Sequence, residues 1–206
     1  MFSEASVSRR ELLKRLGMAG AAALALPGFD RVLAFQRDAL KTGVTGAGVL
    51  TAAEAATLAA VCARIIPTDE SGPGAAEARA SQYIDRALGG WLAPSRDAYT
   101  EGLAAFDAAA RARSGARFVE LAPAEQDAVL ATLEQSPFFA LVRTHTIQGT
   151  FCDPAYGGNA GFAGWDLIGY PGVRLNVTAA DQRMGVQVKP MRRSAYDYAM
   201  FAAGAH

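Results

Sequence analysis

Few residues in this chain are equipped for chemistry. His145 is the only histidine ahead of the terminal His206, and Cys152 and Asp153 follow it within two helical turns. Imidazole, thiolate and carboxylate are metal-ligand types, and a histidine beside a carboxylate can serve as a general base. Asp153 and Asp166 form a second candidate pair, two carboxylates for acid–base work. One residue of each kind is not a signature. His145 shares a face with Phe138, Leu141 and Val142, so its ordinary reading is a neutral core histidine with hydrogen-bonded ring nitrogens. Asp-Pro and Trp-Asp within turns read as local backbone caps. The chain holds two cysteines, Cys62 and Cys152. An oxidising compartment allows them to pair, yet spacing alone does not establish it. Cys62 reads equally well as a small core residue.

Cofactor signatures are missing. A nucleotide site needs a glycine fingerprint between a strand and a helix. Gly46-Ala47-Gly48 lacks the third glycine and a preceding strand, and Gly158-Asn159-Ala160-Gly161 follows a helix and leads into a loop. No Cys-x-x-Cys-His, four-cysteine cluster or Gly-x-Ser-x-Gly elbow occurs. Formal net charge is zero and there is no basic stripe, which argues against nucleic acid as partner.

The strongest motif is an address. Ser8-Arg9-Arg10-Glu11-Leu12-Leu13-Lys14 precedes a short apolar stretch, Leu16 to Leu26. A basic region followed by such a segment is the layout of a secretory signal, and the run has about half the ~20 residues of a spanning helix. The pair Arg9 and Arg10 selects the twin-arginine route, which carries folded proteins to the periplasm. Cleavage after Ala25 or after Ala34 and an uncleaved anchor all remain open. Residues 1–34 are thus read as the signal, and 35–49, glycine-rich and aperiodic, as a linker. Folded export commonly serves cofactor-bearing proteins, yet this chain has no evident cofactor site. A subunit that crosses together with a cofactor-bearing partner resolves the tension. An export chaperone that leaves afterwards is one alternative. Another is a stand-alone periplasmic enzyme or metal-binding protein using His145 and Asp153.

The elements that would position these residues are helical. Thr51-Ala52-Ala53-Glu54 reads as a capping box. Leu58, Val61, Cys62, Ile65 and Ile66 follow at the spacing of one buried face, and Pro67 stops the helix. Ile84, Ala87, Leu88, Trp91 and Leu92 mark a second helix, weakened by Gly89-Gly90. A third runs from about Ser95 to Ser114 on Tyr99, Leu103, Phe106 and Ala110, with Gly115 as its C-cap. A fourth starts at Pro123 and buries Val129, Leu130 and Leu133. A fifth follows Ser136-Pro137. The fold class is mainly α: a small helical bundle with a long irregular C-terminal segment rich in glycine and aromatics. Half of the residues are hydrophobic, enough for a core, and the part beyond residue 34 has a one-domain length. The helical domain spans 50–175, and 176–206 is expected to form an extended arm. In the irregular segment, Phe151, Cys152, Tyr156, Asn159, Trp165 and Tyr170 are the candidate core or partner-interface residues, because aromatics anchor interfaces. Asn159 is expected to bond backbone groups in its turn.

The run from Phe138 through His145-Thr146-Ile147-Gln148-Gly149-Thr150-Phe151-Cys152-Asp153-Pro154-Ala155-Tyr156-Gly157-Gly158-Asn159, with Gly164-Trp165-Asp166-Leu167-Ile168-Gly169-Tyr170-Pro171-Gly172, resembles the small subunit of the gluconate 2-dehydrogenase family, called subunit 3. Leu50-Thr51 through Ile65-Ile66-Pro67-Thr68-Asp69, Tyr83-Ile84-Asp85 and the twin-arginine leader are similar too. The resemblance covers about residues 50–175. It implies an accessory subunit, not an enzyme by itself, in a periplasmic or membrane-associated dehydrogenase acting on CH–OH groups. The implied partners are an FAD-dependent large subunit of the glucose–methanol–choline type and, in a possible third subunit, haem c of a cytochrome. Relatives oxidise gluconate, other sugar acids, or sugars and glucosides at C3. The resemblance carries over no catalytic residue, cofactor ligand or metal ligand. Cys152 departs from the family pattern, and a free thiol, a bridge to the large subunit and a pair with Cys62 are its alternatives.

Overall fold

Thr51 begins the first helix as a reciprocal capping box: the Glu54 amide donates to Thr51 Oγ1 at 3.3 Å, and Thr51 N–H donates to Glu54 Oε2 at 2.8 Å. These bonds satisfy amides that a helix start leaves orphaned. Helix α1 (Ala52–Ile65) buries Leu58, Val61 and Cys62 and stops before Pro67, which cannot continue the ladder. The computed structural model describes residues 48–186 and 188–202, all within one unit running from Gly43 to His206. The signal with Arg9 and Arg10, and the linker up to residue 47, lie outside the described residues.

The other long helices are α2 (Ala80–Leu88), α3 (Arg96–Ser114), α4 (Pro123–Leu133) and α5 (Pro137–Phe151). Two short ones follow, α6 (Ala163–Ile168) and α7 (Ala199–Ala202). No strand occurs among the described residues, so the mainly helical class holds. Gly115 closes α3 at φ +77°, and Ser136 caps α5 by accepting the Phe139 amide at 3.1 Å. On α3 the stripe Tyr99, Leu103, Phe106, Ala110 is buried, as its spacing predicts.

Two boundaries differ from the sequence reading. Helix α2 ends at Leu88, not beyond Leu92, because Gly89-Gly90 and then Pro94 favour a turn. Leu92 still reaches the core, since its amide donates back to the Ala87 carbonyl at 2.8 Å. Helix α5 continues through Phe151 into the segment expected to be irregular.

Helix α5 is central, with α1, α2, α3 and α6 packed against it. Its buried positions are Val142, His145, Thr146, Gly149 and Thr150, a small and polar stripe rather than an aliphatic one. Thr146 and Thr150 resolve their polarity locally by donating to the carbonyls of Val142 and Thr146, each at 2.7 Å. Small residues let α2 come close. A Cβ on Gly149 would stand 2.8 Å from Tyr83 Cδ1 and 3.0 Å from the Ala80 backbone. Alanine favours an isolated helix by about 1 kcal/mol over glycine, whereas overpacking a tight crossing costs about 1–3 kcal/mol. Gly149→Ala is therefore expected to destabilise the protein, seen as a lower urea midpoint. A raised midpoint would show that the crossing relaxes freely.

Candidate functional site

The segment after α5 reverses the chain within a few residues and begins α6. Phe162 occupies the N-cap position of α6 in a left-handed conformation, and it has no side-chain acceptor. Asn159 supplies one from upstream. Its Oδ1 accepts the Gly164 amide at 2.8 Å and the Trp165 amide at 3.4 Å, two of the orphaned amides at the start of α6. The same side chain donates from Nδ2 to the Cys152 carbonyl at 2.8 Å, and the Asn159 backbone amide donates to the Gly149 carbonyl at 2.8 Å. Trp165 completes the brace, its Nε1–H donating to the Phe151 carbonyl at 3.0 Å. Carbonyls that end α5 and amides that start α6 are thus satisfied through two side chains.

The approach is close enough to exclude other residues. A Cβ on Gly164 would overlap the Thr150 carbonyl oxygen, and one on Gly158 the Gly149 carbonyl oxygen. Asn159 itself sits at φ +44°, where asparagine is among the few tolerated side chains. Asn159 is fully buried and Trp165 nearly so. Trp165 meets Tyr170 edge-on at 4.9 Å and Phe162 at 5.3 Å between ring centroids. Of the candidate residues, Asn159 and Trp165 hold the lobe together. Phe151, Cys152 and Tyr156 are half-buried, and Tyr170 is the one that is 40% exposed.

Asp153 has a different task. It caps the following turn by accepting the Ala155 amide at 2.9 Å, and it accepts Ser194 Oγ–H at 2.5 Å and the Ala195 amide at 2.8 Å. Asp166 pairs with Arg192 at 2.6 Å. Met191 N–H donates to the Pro171 carbonyl at 2.9 Å, Tyr198 Oη–H to the Val173 carbonyl at 2.8 Å, and Tyr156 meets Tyr196 edge-on. The region expected to be an extended arm is clasped onto the lobe over residues 191–198. No local pattern could have revealed Ser194 or Tyr198 as partners, because the contacts span 25 to 42 residues.

The structure does not bring His145 to Asp153 or to Asp166. His145 lies in the core with Nδ1 2.9 Å from Tyr99 Oη, its ring stacked on Tyr99 at 5.9 Å and edge-on to Trp91 at 6.2 Å. Asp153 and Asp166 serve the clasp, each with its own partner. Among the described residues no group of three or more His, Cys, Asp or Glu gathers as a metal would require. Cys62 and Cys152 are both free thiols. Cys62 is buried 3.3 Å from Thr146 Oγ1, and burial raises its pKa to about 12. Burial likewise raises Cys152 to about 11. Neither is poised as a thiolate nucleophile. The site's chemistry is that of a braced scaffold carrying a clasped C-terminal segment.

Residues 52–172 match the family described as gluconate 2-dehydrogenase subunit 3. The chain belongs to the gluconate 2-dehydrogenase subunit 3 family. The match runs from α1 through the Asn159 brace and ends at residue 172, ahead of the clasped residues 191–198. Neither a curated protein nor a solved structure gives a significant match to the chain. Membership makes the chain a subunit of a dehydrogenase assembly, which implies a catalytic partner.

Two substitutions check this account. Asn159→Ala leaves the Cys152 carbonyl and the Gly164 amide without partners and keeps a non-glycine residue at positive φ. A loss of about 3 kcal/mol or more is expected in urea unfolding, because each buried unsatisfied group alone costs about 1–3 kcal/mol. A loss below 1 kcal/mol, about the net worth of one ordinary hydrogen bond, would mean the brace is dispensable. His145 is depressed by burial from 6.5 to about 4. The unfolded chain therefore binds a proton that the native core refuses. The stability this gives is fully present above pH 6.5 and is lost as pH falls towards 4, about 3 kcal/mol in all. His145→Gln is expected to flatten this part of the stability profile, read as the wild-type minus variant difference between pH 7 and pH 4.

Proposed function

We propose that this chain is the non-catalytic small subunit of an FAD-dependent dehydrogenase of the glucose–methanol–choline type. Its substrates would be sugars or sugar acids oxidised at a CH–OH group, as in gluconate 2-dehydrogenase or glucoside 3-dehydrogenase. Membership of the subunit 3 family carries this reading. The glycines of the lobe lie between helices, at close backbone crossings and tight turns. The flavin would then belong to the catalytic subunit. Electrons would leave through haem c of a cytochrome subunit at the outer face of the inner membrane.

The small subunit stabilises the flavoprotein and supplies its export address. Arg9 and Arg10 direct the folded pair to the twin-arginine translocon, and the helical domain keeps the address attached to its passenger. No helix among the described residues is long and apolar enough to cross a membrane. The cytochrome subunit would supply the membrane association.

Co-expression of the catalytic subunit with the Arg9→Lys/Arg10→Lys variant tests the carrier role. The expected outcome is a flavoprotein retained in the cytoplasm, with periplasmic dehydrogenase activity lost. Export of the flavoprotein with the variant, as efficient as with wild type, would refute it.

A further inference from the structure

Among the described residues, large hydrophobic side chains are exposed almost entirely in one stretch. Val49 is the outlier, and the others lie between Ile168 and Phe201. Leu175, Val177, Met200 and Phe201 are broadly exposed, and Met184 is completely so. This stretch is not a loose tail. Asp153 holds Ser194 and Ala195, Asp166 holds Arg192, and the carbonyls of Pro171 and Val173 hold Met191 N–H and Tyr198 Oη–H. The outgoing turn is itself tied: Thr178 N–H and Oγ1–H both donate to Asp181 Oδ2, and Arg174 pairs with Asp181 at 3.0 Å. The stretch is exposed along most of its length, polar and apolar side chains alike, and residues 191–198 are the part held to the domain. Large apolar side chains exposed together in one stretch mark an interaction surface.

We infer that residues 173–186 and 188–201 form the docking surface for the catalytic subunit, through apolar pockets on that subunit rimmed by acidic side chains. This rests on the proposed function, which supplies the partner. Charge supports the choice: residues 173–202 carry five Arg or Lys against two Asp, whereas 48–172 carry eight Arg against fourteen Asp or Glu. Arg183 and Lys189 are exposed in the same stretch. An acidic rim facing them steers and orients the encounter, while burial of the apolar groups holds the complex. The backbone favours a protein over a lipid surface. Its described elements there are one short 3-10 turn and the four-residue α7. Such irregular backbone meets polar partners on a protein but none in hydrocarbon, and membrane-surface binding relies on an amphipathic helix. The stretch also lies past the family match, which ends at residue 172.

The test is co-purification of the catalytic subunit with the full-length chain, comparing wild type, Val177→Ser/Met184→Ser, Met200→Ser/Phe201→Ser and Arg183→Glu/Lys189→Glu. The substituted side chains are exposed, so each variant is expected to keep its helical circular dichroism and its melting temperature. Recovery of the catalytic subunit should fall at least about tenfold for each apolar pair, the loss typical of truncated interface anchors. For the charge pair the loss should be greatest at low salt, where steering is strongest. Wild-type-like recovery with all three variants overturns the docking assignment and leaves the proposed function standing. Failure of the wild type to recover any flavoprotein overturns the proposed function itself. Flotation of the wild type with phosphatidylglycerol vesicles, abolished by Met200→Ser/Phe201→Ser while recovery is unchanged, would assign the surface to lipid instead.

Discussion

The end of one helix and the start of another meet at the Asn159 side chain, and the C-terminal half of the domain depends on how it is satisfied there. Helix termini expose carbonyls at one end and amides at the other, and burying either without a partner costs more than an average hydrogen bond returns. Asn159 carries a donor and an acceptor on one short group, so it serves both termini at once. Trp165 adds a second donor to the α5 carbonyls while its ring fills the space beneath Tyr170 and Phe162. Gly158 and Gly164 are the steric condition for this arrangement, since any side chain there would occupy the position of a carbonyl oxygen.

The same logic of local satisfaction runs along α5. Its buried face holds His145, Thr146 and Thr150, polar residues that would weaken a core if left unpaired. The threonines return their hydrogen bonds to the preceding turn, and His145 pairs with Tyr99 between aromatic rings. Burial keeps the imidazole neutral over the physiological range. A residue that first suggests catalysis is thereby a packing element. The groups that could act with it, Asp153 and Asp166, are engaged by Ser194 and Arg192 instead.

Those two carboxylates connect the family core to the segment beyond it. Asp153 caps its own turn with one oxygen and reaches the C-terminal segment with both, so the lobe and the clasp share a single charge. Beyond the family match, Leu175, Val177, Met184, Met200 and Phe201 are exposed.

Much of this was legible in the sequence. The Thr51–Glu54 box, the Pro67 stop, the Gly115 cap and the Ser136-Pro137 start are encoded within a turn of the residues they affect. Each appears where the spacing places it. The family, too, was readable from the Asp-Pro-x-Tyr-Gly-Gly-Asn and Gly-Trp clusters, and the role of Asn159 in bonding backbone could be anticipated from its turn. Other features were not readable. Helix α2 stops at Leu88 although its apolar period runs on to Leu92, because backbone bonds in the glycine turn keep Leu92 buried without a helix. Helix α5 extends to Phe151 because tertiary partners receive its final carbonyls. Whether Trp165 faces inward and where Asp153 finds Ser194 were decided only in three dimensions. Caps and periodicities act within about four residues of sequence, whereas the clasp joins groups some forty residues apart, and its geometry exists only once the helices between them have packed.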